Sequence, residues 1–255
     1  MTALGFDTSN YTTSAAWYDG NTGVNAGRLL EVRSGELGLR QSDALFQHVK
    51  RLPEIMERLE IPGTIRAVGA STRPRAVEGS YMPCFLAGAS QAQVLAKALG
   101  VRFYGFSHQQ GHLAAALWSA GRMDLTEKPF LAWHLSGGTT ELLQVEPGLA
   151  ARIVGGTEDL SAGQLIDRTG KLLGLDFPAG RALDELAGET EAKPFPVKVR
   201  DCAFSLSGMQ NQMQQRRDRG APPEEIAAFA LSTIADTVRR ATDQAKEQYG
   251  QLPVD

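Results

Sequence analysis

The chain of 255 residues is 42% hydrophobic and 22% charged, with 27 glycines, 12 prolines and a formal net charge of −3. That length gives one large domain or two smaller ones a real core, and the mild acidity argues against a protein that coats nucleic acid over its whole surface, though not against a local basic face. Cys84 and Cys202 lie far apart without a CxxC spacing, which argues against a disulfide framework or a zinc ribbon; with no apolar run near the roughly 18 residues of a membrane span and no signal-peptide pattern, a cytoplasmic protein without membrane contact is expected.

In chain order, residues 4–7 read as a strand, 7–14 as a polar turn rich in hydroxyls, and 14–18 as a second strand. Asp19-Gly20 then turns the chain into a third strand near 24–31. An aspartate at the tip of such a turn can hold a metal-bound phosphate, but read on its own Asp7 belongs to a solvated hairpin loop. Residues 41–60 place Leu45, Phe46, Val49, Leu52, Ile55, Met56 and Leu59 at helical spacing, interrupted at Pro53. His48 beside that stripe reads as a structural or solvent-facing histidine. A short strand over 65–71, a loop over 72–83 with Arg73, Arg75 and Tyr81, an alanine-rich helix over 86–99 ended by Gly100, and a strand over 101–106 deliver the chain to His108.

Residues 104–144 carry the most specific chemistry. His108 and His112 stand at i and i+4, which on a helix puts both imidazoles on one face at the spacing a metal ion needs. Phe130 to Leu135 reads as a buried strand, and Ser136-Gly137-Gly138-Thr139-Thr140 as a tight turn whose backbone N–H groups can approach a phosphate. Further on, a strand ends in Gly155-Gly156, and Ser161 caps a helix containing Asp167, Arg168 and Lys171. There a solvated ion pair is the simplest reading of Asp167. Residues 176–184 form a Pro/Gly turn into another helix, a second place where a helix N-terminus can face an anion. Residues 193–200 are extended and basic, and Phe204-Ser205-Leu206-Ser207-Gly208 opens a polar helix with Arg216, Arg217 and Arg219. Pro222-Pro223 opens the last helix, with Ile226, Phe229, Ala230, Ile234 and Val238 on its apolar face. Strand meanders followed by helices suggest an α/β protein of two related halves, divided as 1–127 and 128–255.

These residues together resemble the tRNA adenosine threonylcarbamoyltransferases (TsaD, long labelled glycoproteases). The matches, in order, are Asp7-Thr8-Ser9 with Thr13-Ser14; Ser107-His108 to Gly111-His112; Leu135 to Thr140; Asp167-Arg168 with Lys171 to Leu175; Phe177-Pro178-Ala179-Gly180 with Asp184; and Phe204 to Gly208. The resemblance implies an actin-like ATPase (ASKHA, ribonuclease H-like) fold of two subdomains, the second incomplete because the family's C-terminal segment has no counterpart in these residues. It implies His108 and His112 as ligands of one Fe2+ or Zn2+ ion per subunit. It also implies His134, Leu135, Ser136, Gly137, Gly138, Asp167, Gly180 and Asp184 as the seat of ATP, AMP or threonylcarbamoyl-AMP. The implied reaction transfers the threonylcarbamoyl group to N6 of the adenosine next to the anticodon in tRNA. The implied partners are TsaB- and TsaE-type proteins, with a homo- or heterodimer as the assembly. No protein nucleophile is needed, and no catalytic residue is assigned. Thr139, Gln110 and Asn10-Tyr11 depart from the family's pattern, and the third metal ligand and the base-binding asparagine lie in the segment without a counterpart. A non-catalytic paralogue acting as a nucleotide-binding or dimerisation scaffold is the alternative. The peptidase label finds no glutamate placed as general base in His108-x-x-x-His112.

Overall fold

The computed structural model describes residues 1–9, 11–32, 39–250 and 252–253; Asn10 of the first turn, and Gln251, Val254 and Asp255, lie outside them. The described chain divides into two compact units, Met1–Met123 and Asp124–Asp255.

The first unit opens on an antiparallel meander of β1 (Thr2–Asp7), β2 (Thr12–Tyr18) and β3 (Gly23–Leu29). After α1 (Gln41–Met56), β4 (Ile65–Arg73) returns parallel to β1. After α2 (Phe85–Leu99), β5 (Arg102–Ser107) lies parallel to β4, giving the order β3-β2-β1-β4-β5. The period-two pattern of β1 buries Leu4 and Phe6 on one face, where they pack with Ala15, Val68 and Ala70 against Leu52 and Ile55 of α1 and Ala87, Ala92 and Ala96 of α2. The opposite parity brings Asp7 to the other face at the strand's end, and α3 (His108–Ser119) starts directly where β5 stops. The sequence predicts an interruption at Pro53, yet α1 runs on to Met56. Pro53 sits in the last turn, so it removes one amide while its carbonyl still accepts from Glu57.

The second unit repeats the opening: β6 (Phe130–Leu135), β7 (Thr140–Glu146) and β8 (Ala150–Thr157) form an antiparallel meander. Helices α4 (Ala162–Leu172) and α5 (Gly180–Ala187) follow. The ribbon of β9 (Val199–Arg200) and β10 (Ala203–Phe204) then adds to β8, with β10 parallel to it, in the order β6-β7-β8-β10-β9. Two helices close the unit, α6 (Ser207–Asp218) and the 27-residue α7 (Pro223–Tyr249). The buried face of α7 includes the expected Ile226, Phe229 and Ala230, but it continues through Thr233, Thr237, Ala241 and Ala245, while Ile234 is only partly covered. Thr233 and Thr237 can be buried because each hydroxyl donates to the carbonyl four residues back, at 2.7 Å. Among the described residues no helix is long and apolar enough to cross a membrane.

Candidate functional site

In the first unit the site is built at the C-terminal ends of β1, β4 and β5. Asp7 ends β1, and its Oδ1 accepts from the Ser9 amide at 2.8 Å, which fixes the turn. Its Oδ2 accepts from the Ser71 hydroxyl on β4 and lies 2.8 Å from Nδ1 of His108. Ser107, buried at the end of β5, caps α3 in a capping box with Gln110, so the helix begins at His108 and the two histidines share a face. Their Nε2 atoms approach to 2.8 Å with the rings edge to face. Burial pushes the Asp7 carboxyl up, but the hydrogen bond and charge of His108, with the Ser71 and Ser9 donors, bring it down to about 2. Burial lowers His112, and the neighbouring His108 charge lowers it further. The solvated-loop reading of Asp7 is therefore corrected: its carboxylate is held on three sides. Gln110, which departs from the family's glutamate, serves the cap of α3.

A metal-binding histidine commonly passes its second ring nitrogen to a carboxylate, which orients the ring and leaves the other lone pair for the ion. Asp7, His108 and His112 have that arrangement: Asp7 engages Nδ1, and Nε2 faces the second imidazole. The residues fit two ligands with their orienting carboxylate. Among the described residues no three His, Cys, Asp or Glu side chains converge as a complete metal cage.

In the second unit the sequence-derived residues gather around α4. The strand β6 carries His134 and Leu135 into the turn at Ser136. That turn is closed on itself: the Ser136 hydroxyl accepts from the Gly138 and Thr139 amides at 3.2 and 3.0 Å, and lies 2.7 Å from the Thr139 hydroxyl. The expected open array of N–H groups is thus partly filled by the protein's own serine. Beside Gly137 and Gly138 the Cβ positions face open space, so the outer side of the turn is unobstructed. Its inner side is stitched to the start of α4, where Ser161 donates to the Gly137 carbonyl at 2.9 Å and the Ala162 amide donates to Thr140 Oγ1 at 2.8 Å. Gly163 is required there, since a Cβ would stand 2.5 Å from the Ser136 carbonyl oxygen.

Asp167 is not the solvated ion pair its neighbours suggest. Its Oδ1 accepts from the Ala179 amide at 2.9 Å and so ties α4 to the turn that opens α5. Gly170, one helical turn on, lets Ala179 come so close that a Cβ there would collide with the alanine's own. Gly180 is the first residue of α5, and Asp184 is exposed one turn later, with no ion pair among the described residues. The structure therefore brings Ser136 and Gly137 to the start of α4 and Gly180 to Ile166 beside Asp167, while His134 and Leu135 stay on β6 opposite Glu141 and Thr140. The histidine pair stands in the other unit.

Asp159 escaped the sequence reading. It accepts from Leu160, Leu206, Ser207 and the Ser205 hydroxyl, thereby capping α6 from 48 residues away. Burial opposes ionisation, but these donors hold the carboxyl well below the usual carboxylate range. The repeated serines of Ser205-Leu206-Ser207 were the available signal; the distant acceptor was not. His48 is fully buried, with Nδ1 2.8 Å from the Thr13 hydroxyl and Nε2 without a hydrogen-bond partner. Burial, aided by Arg51, lowers it to about 4, against the opposing pull of Asp7.

Comparison with known proteins agrees with these motifs. The profile of the family described as TsaD, tRNA N6-adenosine threonylcarbamoyltransferase, matches residues 47–252. A protein named tRNA N6-adenosine threonylcarbamoyltransferase from Thermus thermophilus is 34% identical over 94% of this chain and 76% of its own length. Its counterpart from a second strain of that species is 34% identical over 93% and 74%. Among solved structures, full-length HypF in its phosphate- and nucleotide-bound form superposes with a TM-score of 0.61 over 99% of this chain and 40% of its own, at 12% identity, a likeness of fold alone. That fold is the actin-like ATPase α/β fold. The chain belongs to the tRNA N6-adenosine threonylcarbamoyltransferase family.

Proposed function

We propose that this chain transfers the threonylcarbamoyl group of threonylcarbamoyl-AMP to N6 of the adenosine next to the anticodon in tRNA. The observation that supports the reading best is the Asp7–His108–His112 relay, the family's two histidines on α3 oriented by a carboxylate from β1. The adenosine N6 attacks the carbamoyl carbon, a C–N bond forms, and the C–O bond to the phosphate breaks. AMP leaves with the bonding pair, and N6 loses a proton. The second unit's share is to receive the anionic phosphate at the Ser136–Thr139 turn and the start of α4, where backbone amides and the helix dipole favour negative charge. Asp167 keeps the start of α5 in place beside it. His108 and His112 are the residues that would hold a divalent iron or zinc ion, whose chemistry when bound is polarisation of a carbonyl or orientation of a phosphate. TsaB- and TsaE-type proteins are the partners this reading calls for, and the cytoplasm its compartment.

The test is a reconstituted reaction of the chain with tRNA, threonylcarbamoyl-AMP and its partner proteins, scored by mass spectrometry of the digested tRNA. Modified adenosine is expected with the native chain. It should be lost with His108→Ala and reduced about 10- to 100-fold with Asp7→Asn, the range typical of a ligand's orienting partner. A folded chain that binds AMP yet forms no product would hand the case to the second reading, a nucleotide-binding scaffold.

A further inference from the structure

Two cavities lie end to end along α4 in the second unit, about 470 and 300 Å³, sharing Lys171 and Leu172 in their linings. Their floor is apolar and buried, supplied by Leu165, Met213 and Ile226. Their rim carries Arg168, Lys171 and Arg217 with the amides of Gln210 and Gln214, and no carboxylate lines either one. In a chain of net charge −3 three cations along one groove are a local concentration of positive charge, with Asp218 held by Gln214 at its margin. Arg168 spends one N–H on Gln210 at 2.8 Å, while Lys171 and Arg217 make no ion pair among the described residues. Arg216, the neighbouring arginine, shows the contrast: it pairs with Glu225 and stacks over Phe229, facing inward. This groove also differs from the phosphate seat described above. Asp167 points from α4 toward Ala179, whereas Leu165, Arg168, Thr169 and Leu172 line the groove.

We propose that this α4–α6 groove holds the sugar–phosphate backbone of the RNA substrate, an inference that rests on the tRNA reading above. Arg168 and Lys171 stand three residues apart on one helix, so their side chains are neighbours on its surface and can meet consecutive phosphates of one strand. The Gln210 carbonyl takes Arg168 and the Gln214 amide group donates to Asp218 at 2.8 Å, which leaves the Gln210 NH2 and the Gln214 carbonyl as a neutral donor and acceptor of the kind that engage ribose hydroxyls. Two adjoining cavities that share Lys171 and Leu172 along α4 fit a strand that passes along the helix.

The experiment measures binding of tRNA to the full chain across a salt series, beside AMP binding by calorimetry. For Arg168→Gln/Lys171→Gln/Arg217→Gln we expect tRNA affinity to fall about 10- to 100-fold at low salt. The slope of log affinity against log salt should become shallower by about two, since each neutralised phosphate contributes roughly 0.7 to 0.9. AMP binding should be unchanged, which also certifies that the variant is folded. A control with the same loss of charge elsewhere, Lys50→Gln/Lys97→Gln/Lys246→Gln, should retain tRNA binding. Equal weakening in the control, an unchanged slope in the groove variant, or no tRNA binding by the native chain would each overturn the proposal. So would a groove variant that keeps tRNA but loses poly-L-glutamate, because the groove would then serve an acidic polypeptide. The transfer reading fails separately, if the reconstituted reaction yields no modified adenosine at saturating tRNA.

Discussion

His48 shows how far a single side chain's environment departs from what its neighbours in sequence suggest. It lies on the inner face of α1, where its Nδ1 shares a hydrogen bond with the Thr13 hydroxyl and its Nε2 is unbonded in the core. Its folded pKa near 4 lies below the ordinary value of 6.5 because burial penalises the charged ring. Between those values the unfolded chain binds a proton that the folded chain refuses, so stability must fall as pH drops from 6.5 to 4, by up to about 1.4 kcal/mol per pH unit, and the His48 contribution levels off below 4. Urea denaturation midpoints across that window should fall in the native chain and change less in His48→Gln; parallel curves for the two would sink the idea. The sequence supplied the histidine and its apolar stripe. It could not supply Thr13 opposite, because that contact is set by how α1 packs on the meander.

At the level of elements, α6 is the informative case. Its residues are among the most polar in the chain, it buries only Met209 and Met213, and it has no local side-chain cap. Asp159, two residues past the end of β8, provides that cap by accepting from the Leu206 and Ser207 amides. Asp159→Ala should therefore cost about 1–2 kcal/mol, as loss of a helix cap does, and Asp159→Asn less, measured by chemical denaturation at neutral pH. Because the folded pKa is depressed, the carboxylate's contribution is full above the ordinary carboxylate pKa and disappears as pH falls below it. Equal stability of native and alanine chains at pH 7 would show that the cap is ornamental. Helices with strong periodicity, such as α2 and α7, were legible within a few residues, and so were the hairpins with Gly or Asp at their turns. The two-residue strands β9 and β10 were not, because two residues carry no period and their pairing is decided by β8.

For the molecule as a whole, the legible signal was the ordered set of motifs, which named the family and the fold. What stayed hidden was which atoms within each motif touch: that Asp7 backs His108, that Asp167 serves a backbone amide, that Ser136 fills its own turn. Each depends on tertiary approach or on turn geometry that no spacing in the sequence specifies. Saturable AMP binding to the full chain is expected, weakened about 10- to 100-fold by Asp167→Ala, since a charge-assisted hydrogen bond to the Ala179 amide is lost. Calorimetry that finds the two proteins indistinguishable would remove Asp167 from the site. The closed turn at Ser136 has a consequence for how such a ligand arrives. With the hydroxyl resting on the Gly138 and Thr139 amides, those donors are never left orphaned between visits. Under the proposed function, a phosphate at this turn would trade places with a tethered placeholder, one acceptor exchanged for another. Such an exchange would ask for rotation of the Ser136 side chain and for no change in the backbone of the turn.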